Sequence, residues 1–281
     1  MQQSTSPAAS ALLAQLTQAA LFAGAHAGAQ AAVQTKAMAG EAGSALLIER
    51  LPFTIRRVQD EDALRKAVGI RHAAYARHVP EFARSLRVAE ACDYDSDTVV
   101  LLAESRLDGS ALGSMRIQTN LEQALHVEDS VELPLWLQTR RLAEVSRLGI
   151  GEGRIGRVVK LALIKASFQF CEQNRIDYAI VTGRAPIDRQ YEQLLFSDVF
   201  ASKAFMPLHH VGNLPHRVMS FEIASGEQRW EAARHPMLNF FRRTHHPDID
   251  IGLRGGLPSA LKPVRRAAPH ANTMLRDFLA A

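Results

Sequence analysis

Two cysteines, Cys92 and Cys171, are all that the 281 residues contain. That is too few for a disulfide framework or a cysteine-based zinc site, so both are expected as small core side chains. Long hydrophobic runs are missing too: no segment approaches the ~20 apolar residues that span a bilayer. The opening residues, MQQSTSP, lack the positive charges of a secretory signal. These absences give a cytoplasmic address, with contact to the membrane limited to its inner face. No zinc-finger, RNP or helix-turn-helix pattern accompanies the basic residues, so nucleic acid is not expected as a partner. No internal repeat is visible. What remains is an ordinary globular balance, 47% apolar and 22% charged, in a chain long enough for one large domain with extensions.

Charge and composition divide the chain into three zones. Residues 1–48 are dominated by Ala, Gln and Gly, with Lys36 and Glu41 as the charged side chains. The stretch ALLAQLTQAALFAGAHAGAQAAV favours a helix, but its side chains are small and bury little area, so a helical or mobile extension is expected. Residues 49–225 carry a mixed α/β pattern. Residues 226–281 hold nine Lys and Arg against five Asp and Glu, a difference of four that equals the whole formal net charge of +4. This basic, helical or irregular tail suits an acidic protein or an anionic lipid surface.

In the middle zone PFTIRRV reads as a strand, and EDALRKAVGIRHAAYARH as a helix with apolar residues at helical spacing. A loop runs to Asp97. TVVLLAES and ALGSMRIQT then form a strand pair around the turn DGS. RRLAEVSRLGI is a further strand, GEGRIGR a loop, and VVKLALIKASFQFCEQN a long amphipathic helix. DYAIVTG is a strand, DRQYEQLLFSDV a helix and VMSFEIA a closing strand. The expected order is β-α-β-β-β-α-β-α-β.

Four patterns inside this zone bear on chemistry. Arg71 and Tyr75 sit one turn apart on one helix face. Asp93 and Asp95 flank Tyr94 in the loop. Gly113 and Arg116 lie on the second hairpin strand. Glu144, Ser146 and Arg147 follow one another on the strand before the glycine loop. Regular alternation puts Glu144 and Ser146 on one side of that strand and Arg147 on the other. Each pattern alone is weak; read as surface ion pairs, each is worth about 0–1 kcal/mol.

Taken in order, the set resembles the autoinducer-synthase branch of the GNAT acyltransferase superfamily, especially its long-chain N-acyl amino acid synthases. The resemblance covers roughly residues 53–223. The aromatics that acyl-homoserine-lactone synthases carry after the first helix are not evident, since HVPEFARSLRVAEACDYD has Phe82 but no Trp. This departure and the terminal zones favour the amino acid synthase side. The resemblance implies an α+β sandwich, a mixed central sheet flanked by helices, with helical N- and C-terminal extensions. It implies Glu144 as the group that assists deprotonation of an attacking amine, and Arg71, Tyr75, Asp93, Asp95, Arg116, Ser146 and Arg147 as substrate-binding residues. The loop Gly151, Gly153, Arg154, Gly156 and Arg157 falls where such enzymes receive the thioester arm. The full acetyl-CoA motif is absent and Arg154-x-Gly156 matches only part of it. That fits an acyl-carrier-protein donor better than acyl-CoA. Arg154, Arg157, Lys160 and Lys165 then steer the acidic carrier. Tyr191 stands where a tyrosine protonates the departing thiolate, although Leu195 replaces the glycine that follows in the family pattern.

The histidine pairs His209–His210 and His245–His246 lack the i, i+4 spacing of a helical metal site, and no metal is expected. No tightly bound cofactor is implied; the phosphopantetheine thioester is a co-substrate. The function the resemblance implies is long-chain acyl transfer from acyl-carrier protein to an amino acid, by direct attack, with a backbone N–H near Gly149–Gly151 stabilising the oxyanion. Two alternatives stand beside it: an acyl-homoserine-lactone synthase using S-adenosylmethionine, and a non-catalytic module that binds acyl chains or the loaded carrier.

Overall fold

A computed structural model of the protein describes residues 46–252. The Ala-rich zone and the Gly-, Pro- and Arg-rich part of the tail lie outside the described residues. The chain divides into two compact units, Met1–Glu49 and Arg50–Ala281. In the first, the described residues include a short strand, Leu47–Ile48.

The second unit begins with β1 (Phe53–Arg57) and α1 (Glu61–Ala76). Asp60 caps α1 by accepting the Ala63 amide at 2.8 Å, with Glu61 and Asp62 in the first turn where the helix dipole favours negative charge. Its buried residues, Leu64, Ala67, Val68, Arg71 and Ala74, recur at helical spacing, so one stripe of α1 faces the sheet. The hairpin strands β2 (Thr98–Ser105) and β3 (Ala111–Thr119) follow, then β4 (Leu142–Ile150). Next come α2 (Gly156–Gln173), β5 (Tyr178–Gly183), α3 (Ile187–Gln193) and β6 (Leu214–Glu222). The segment after them forms α4 (Gly226–Ala232), a π-helical turn at Asn239–Arg243 and a two-residue strand β7 (Ile249–Asp250).

The sheet runs β7-β1-β2-β3-β4-β5-β6, extended by Ser197–Asp198 and by Met206–Leu208, both paired with β6. Neighbours are antiparallel except β7 with β1 and β4 with β5. The expected β-α-β-β-β-α-β-α-β order is the observed core. One face of the sheet packs on α2 through Met115, Ile117, Ala143, Val145, Val159 and Leu163. The other face meets α1 so closely that a Cβ on Gly149 of β4 would lie 2.8 Å from Arg71 Cα.

Three boundaries differ from the sequence reading. The loop expected up to Asp97 contains helical turns at Pro80–Ala83, Arg84–Leu86 and Ala91–Tyr94. The helix expected through Val199 stops at Gln193. There the Phe196 amide reaches Tyr191 O at 3.0 Å and the Leu195 amide reaches Glu192 O at 2.9 Å, a Schellman closure. Its left-handed position, φ 67°, is occupied by Leu195. The segment from Gly226 is no loose appendage up to Gly252: Trp230, Phe241 and Ile251 belong to the main core, with the Trp230 ring stacked on Phe241 at 5.1 Å.

Candidate active site

Four of the singled-out residues come together under α1. Arg71 is wholly buried and donates to both carboxylate oxygens of Asp93, at 2.8 and 2.9 Å. Arg116 on β3 reaches Glu90 Oε2 at 3.0 Å, Asp93 Oδ1 at 3.5 Å and Cys92 Sγ at 2.7 Å. Arg147 on β4 grips Glu90 with Nε at 2.7 Å and Nη2 at 2.6 Å. Three guanidiniums therefore share two carboxylates in the interior. Such a cluster persists only when its members are mutually hydrogen-bonded. A local device positions both acids. Glu90 precedes the turn Ala91–Tyr94, and its amide donates to Asp93 Oδ2 at 2.9 Å in a capping box. Burial by itself would raise the Glu90 pKa, but the hydrogen bonds and charge of Arg147, with Arg116 and Arg71, bring it down to about 2. The same bonds and charge from Glu90 outweigh the burial of Arg147 and raise its pKa. Cys92, expected as a plain core residue, borders this cluster; burial pushes its thiol up to about 11.

Arg147 does not point away from Glu144's side, as regular alternation would require. It adopts φ 55°, and the pairing of β3 with β4 shifts register between Ser114 and Arg116. This bulge inserts an extra residue and turns the guanidinium onto the face that carries Arg116. Ser146 lies directly opposite Arg116 in the ladder. Tyr75, one turn beyond Arg71, packs its ring 5.8 Å from Phe82, over which the Arg147 guanidinium also sits. Asp95 stands apart from the cluster: its carboxylate accepts from Gln123 at 3.1 Å, as does that of Asp97.

Glu144 shares the face of Arg116 but is sealed, with its side chain 1% exposed. Its Oε2 accepts the Val127 amide at 3.0 Å, and His210 Nε2 lies 3.2 Å from Oε1. Burial raises its pKa, against the Val127 hydrogen bond and the charges of Arg116 and Arg147. His126 stands beyond His210, ring centroids 6.3 Å apart. Nothing in the spacing of the His209–His210 pair marks the approach of His210 to Glu144.

Next to Glu144 the sheet opens. The parallel ladder of β4 and β5 ends at the rung Val145–Val181, while β4 continues to Ile150 and β5 to Gly183. On the α2 side of this divergence Val145, Leu148, Ile164, Phe168, Val181 and Tyr191 line a narrow apolar slit of about 10 Å³, room for at most a single water. Tyr191 leans on Gly183, where a Cβ would meet its ring at 3.2 Å. Burial, with a smaller contribution from Tyr75, raises the Tyr191 pKa, so the hydroxyl keeps its proton.

The glycine loop leads into the 18-residue helix α2 beside the opening. Gly153 has φ 112°, and a Cβ on Gly156 would come within 2.9 Å of Gly151 O, so both positions use the absence of a side chain. The Gly151 amide is engaged with Leu112 O at 2.9 Å, which removes it as an oxyanion donor. Arg154 and Arg157 are exposed, and Lys160 donates to Gln190 at 2.9 Å. Lys165 is not on this surface. It is 2% exposed and ties down the C-terminal segment, donating to Phe240 O at 2.7 Å, to Thr244 O and to His246 Nδ1.

No protein-family model and no curated protein matches the sequence. Solved structures do match. FeeM, an N-acyl amino acid synthase from uncultured soil microbes, is 17% identical, with a TM-score of 0.51 over 65% of this chain and 96% of its own. BjaI, a CoA-dependent acyl-homoserine lactone synthase solved with SAM and isopentyl-CoA, is 18% identical, covering 69% of this chain and 93% of its own at a TM-score of 0.48. A GNAT-family putative acetyltransferase from Desulfovibrio desulfuricans is 13% identical, with a TM-score of 0.42 over 61% and 99%. The likeness to FeeM is one of fold, and the GNAT-type α+β sandwich expected from the sequence is the fold found.

Proposed function

We propose that this chain is an N-acyltransferase of the autoinducer-synthase-like branch, moving a long-chain acyl group from the phosphopantetheine thioester of acyl-carrier protein to the α-amine of an amino acid. The observation that carries the reading is the divergence of β4 from β5 immediately after Val145, one residue from the buried carboxylate of Glu144. A thin pantetheine arm fits alongside a strand edge that has lost its partner. The amine nitrogen attacks the thioester carbonyl, the C–N bond forms and the C–S bond breaks. Of the two protons the ammonium gives up, one passes towards Glu144 and on to solvent. The departing thiolate takes a proton from the Tyr191 hydroxyl, which burial keeps protonated, and the second proton of the amine restores it. The oxyanion role falls to amides of β4 beyond Val145 that face the gap.

The buried arginines fit a carboxylate-bearing acceptor. Arg71, Asp93, Arg116 and Arg147 bind or frame the amino acid through Tyr75 and Ser146, with Glu90 holding the guanidiniums in place. The acyl chain takes the slit between sheet and α2, which must part to admit it. Arg154 and Arg157, exposed beside the opening, attract an acidic carrier and favour it over coenzyme A. Among the described residues no helix is long and apolar enough to cross a membrane; contact of the basic tail with anionic lipid belongs to the proposal. The test is release of free carrier thiol from palmitoyl-carrier protein, with palmitoyl-CoA and S-adenosylmethionine as comparison donor and acceptor. Thiol release that depends on an amino acid supports the reading. Release only with S-adenosylmethionine makes the chain a lactone synthase, and binding of the loaded carrier without release makes it a binding module.

A further inference from the structure

Glu144 is the group on which the proposed reaction turns, yet its carboxylate does not reach the solvent. Oε2 is taken by the Val127 amide at 3.0 Å. Oε1 has His210 Nε2 at 3.2 Å, within reach but not aligned as a hydrogen bond. Neither Oε1 nor either ring nitrogen of His210 has a formed partner among the described residues. The His210 side chain is itself only 5% exposed. Its backbone is fastened from two sides. The turn His209–Val211 closes through the Gly212 amide on His209 O at 3.0 Å, and Arg147 Nη2 donates to His210 O at 2.7 Å. The arginine that grips Glu90 thus also holds the imidazole against Glu144.

We propose that Glu144 and His210 act as one acid–base unit, in which the His210 imidazole relays the acceptor's proton to a carboxylate that does not reach the solvent. This rests on the reading above that Glu144 receives that proton. His210 starts with its proton on Nε2, facing the Glu144 carboxylate. Nδ1, buried and without a formed partner in the unliganded chain, takes a proton from the acceptor ammonium as the acceptor binds against it, Nε2 gives its proton to Oε1, and the imidazole ends uncharged with the proton on Nδ1. The pair passes from one negative charge to none, the direction that burial favours. The surroundings agree. Around His210 stand Arg147 from β4, Arg116 from β3, His126 from the turn His126–Asp129 and His216 from β6; burial first, then these groups, bring its pKa down to about 3. Around Glu144 stand the Val127 amide, Arg116, Arg147 and Asp129, and burial dominates in raising it. Both shifts favour the uncharged forms, so the imidazole serves as a conduit and not as a resting cation. Two such groups in contact titrate as a pair.

Nitrogen-15 NMR of the histidine-labelled full chain tests the pairing without any substrate. The expected result is a His210 ring that stays uncharged from about pH 5 to 8. Its proton moves from Nδ1 to Nε2 as rising pH deprotonates Glu144, and that movement is lost in Glu144→Gln. An imidazolium titrating near the ordinary ~6.5, or a tautomer indifferent to both pH and Glu144→Gln, overturns the proposal. In turnover, His210→Gln is expected to lower kcat about a hundredfold and to move the alkaline-going limb of the pH–rate profile, with KM for the acyl donor unchanged. Loss of folding stability with an unmoved pH limb assigns His210 a merely structural role and overturns the proposal. An intact tautomer switch in a protein that acylates nothing leaves the pairing standing and sinks the reaction instead.

Discussion

Glu90 and Arg147 lie 57 positions apart in the chain and meet through two hydrogen bonds of 2.7 and 2.6 Å. Neither geometry comes from regular structure. Glu90 is delivered by a capping box and Arg147 by a bulge at φ 55°. Between them they tie the loop before β2 to the strand that carries Glu144, so the site's framework depends on a buried guanidinium paired with a half-buried carboxylate.

The first consequence is an acid-sensitive fold. The Glu90 pKa is depressed to about 2, below its unfolded value, so its stabilisation is present above about pH 4.5 and is lost as pH falls towards about 2. At neutral pH this amounts to on the order of 3 kcal/mol. Urea unfolding of wild type and Glu90→Gln across that interval should show the two curves converging at the acid end. Parallel curves would contradict the pairing.

Asp93 is the sharper test of the buried cluster. Asp93→Asn leaves Arg71, wholly buried, without its bidentate partner, and is expected to cost about 3–5 kcal/mol of folding stability. Asp95→Asn, at a residue whose carboxylate accepts from Gln123 and stands apart from the buried cluster, should change stability by less than about 0.5 kcal/mol. Equal effects at the two positions would show that the cluster is not what holds the loop.

Leu195 occupies a left-handed position where a side chain costs roughly 1–2 kcal/mol. Both Leu195→Ala and Leu195→Gly lose the same packing, but only the glycine relieves the backbone. The glycine variant should therefore melt above the alanine variant, by an amount equivalent to about 1 kcal/mol. The reverse order would mean that the turn is not strained.

Tyr191 gives a chemical prediction. Tyr191→Phe keeps the ring that packs 5.5 Å from Phe196 and removes the hydroxyl alone. Thiol release should fall about a hundredfold with melting temperature and carrier affinity unchanged. A variant as active as wild type would leave Tyr191 a packing residue.

Much of this was legible in the sequence, and the exceptions share a cause. The apolar run TVVLLAES, the turn DGS and its partner ALGSMRIQT match β2 and β3 to the residue, because strand composition and turn residues are local signals. Arg71, Asp93, Arg116 and Arg147 were marked as a set, and the fold brings them together. Glu90 escapes the sequence because its role comes from a cap that reads as ordinary loop, and His210 because its partner Glu144 lies on a strand distant in the chain from its own turn. The orientation of Arg147 failed for want of the bulge, which alternation cannot anticipate. Lys165 looked like part of a basic docking face; only the return of the segment after α4 shows that its ammonium is buried on carbonyls.

The central claim is that the opening beside Glu144 is a site of acyl transfer. Its most direct test is mass spectrometry of reactions containing the full chain, palmitoyl-carrier protein and the twenty amino acids, with Glu144→Gln alongside. The expected result is an N-palmitoyl amino acid with wild type and a loss of about 10²–10⁴ in rate with the variant. No N-acyl product with any acceptor, or equal rates for the two proteins, would contradict it.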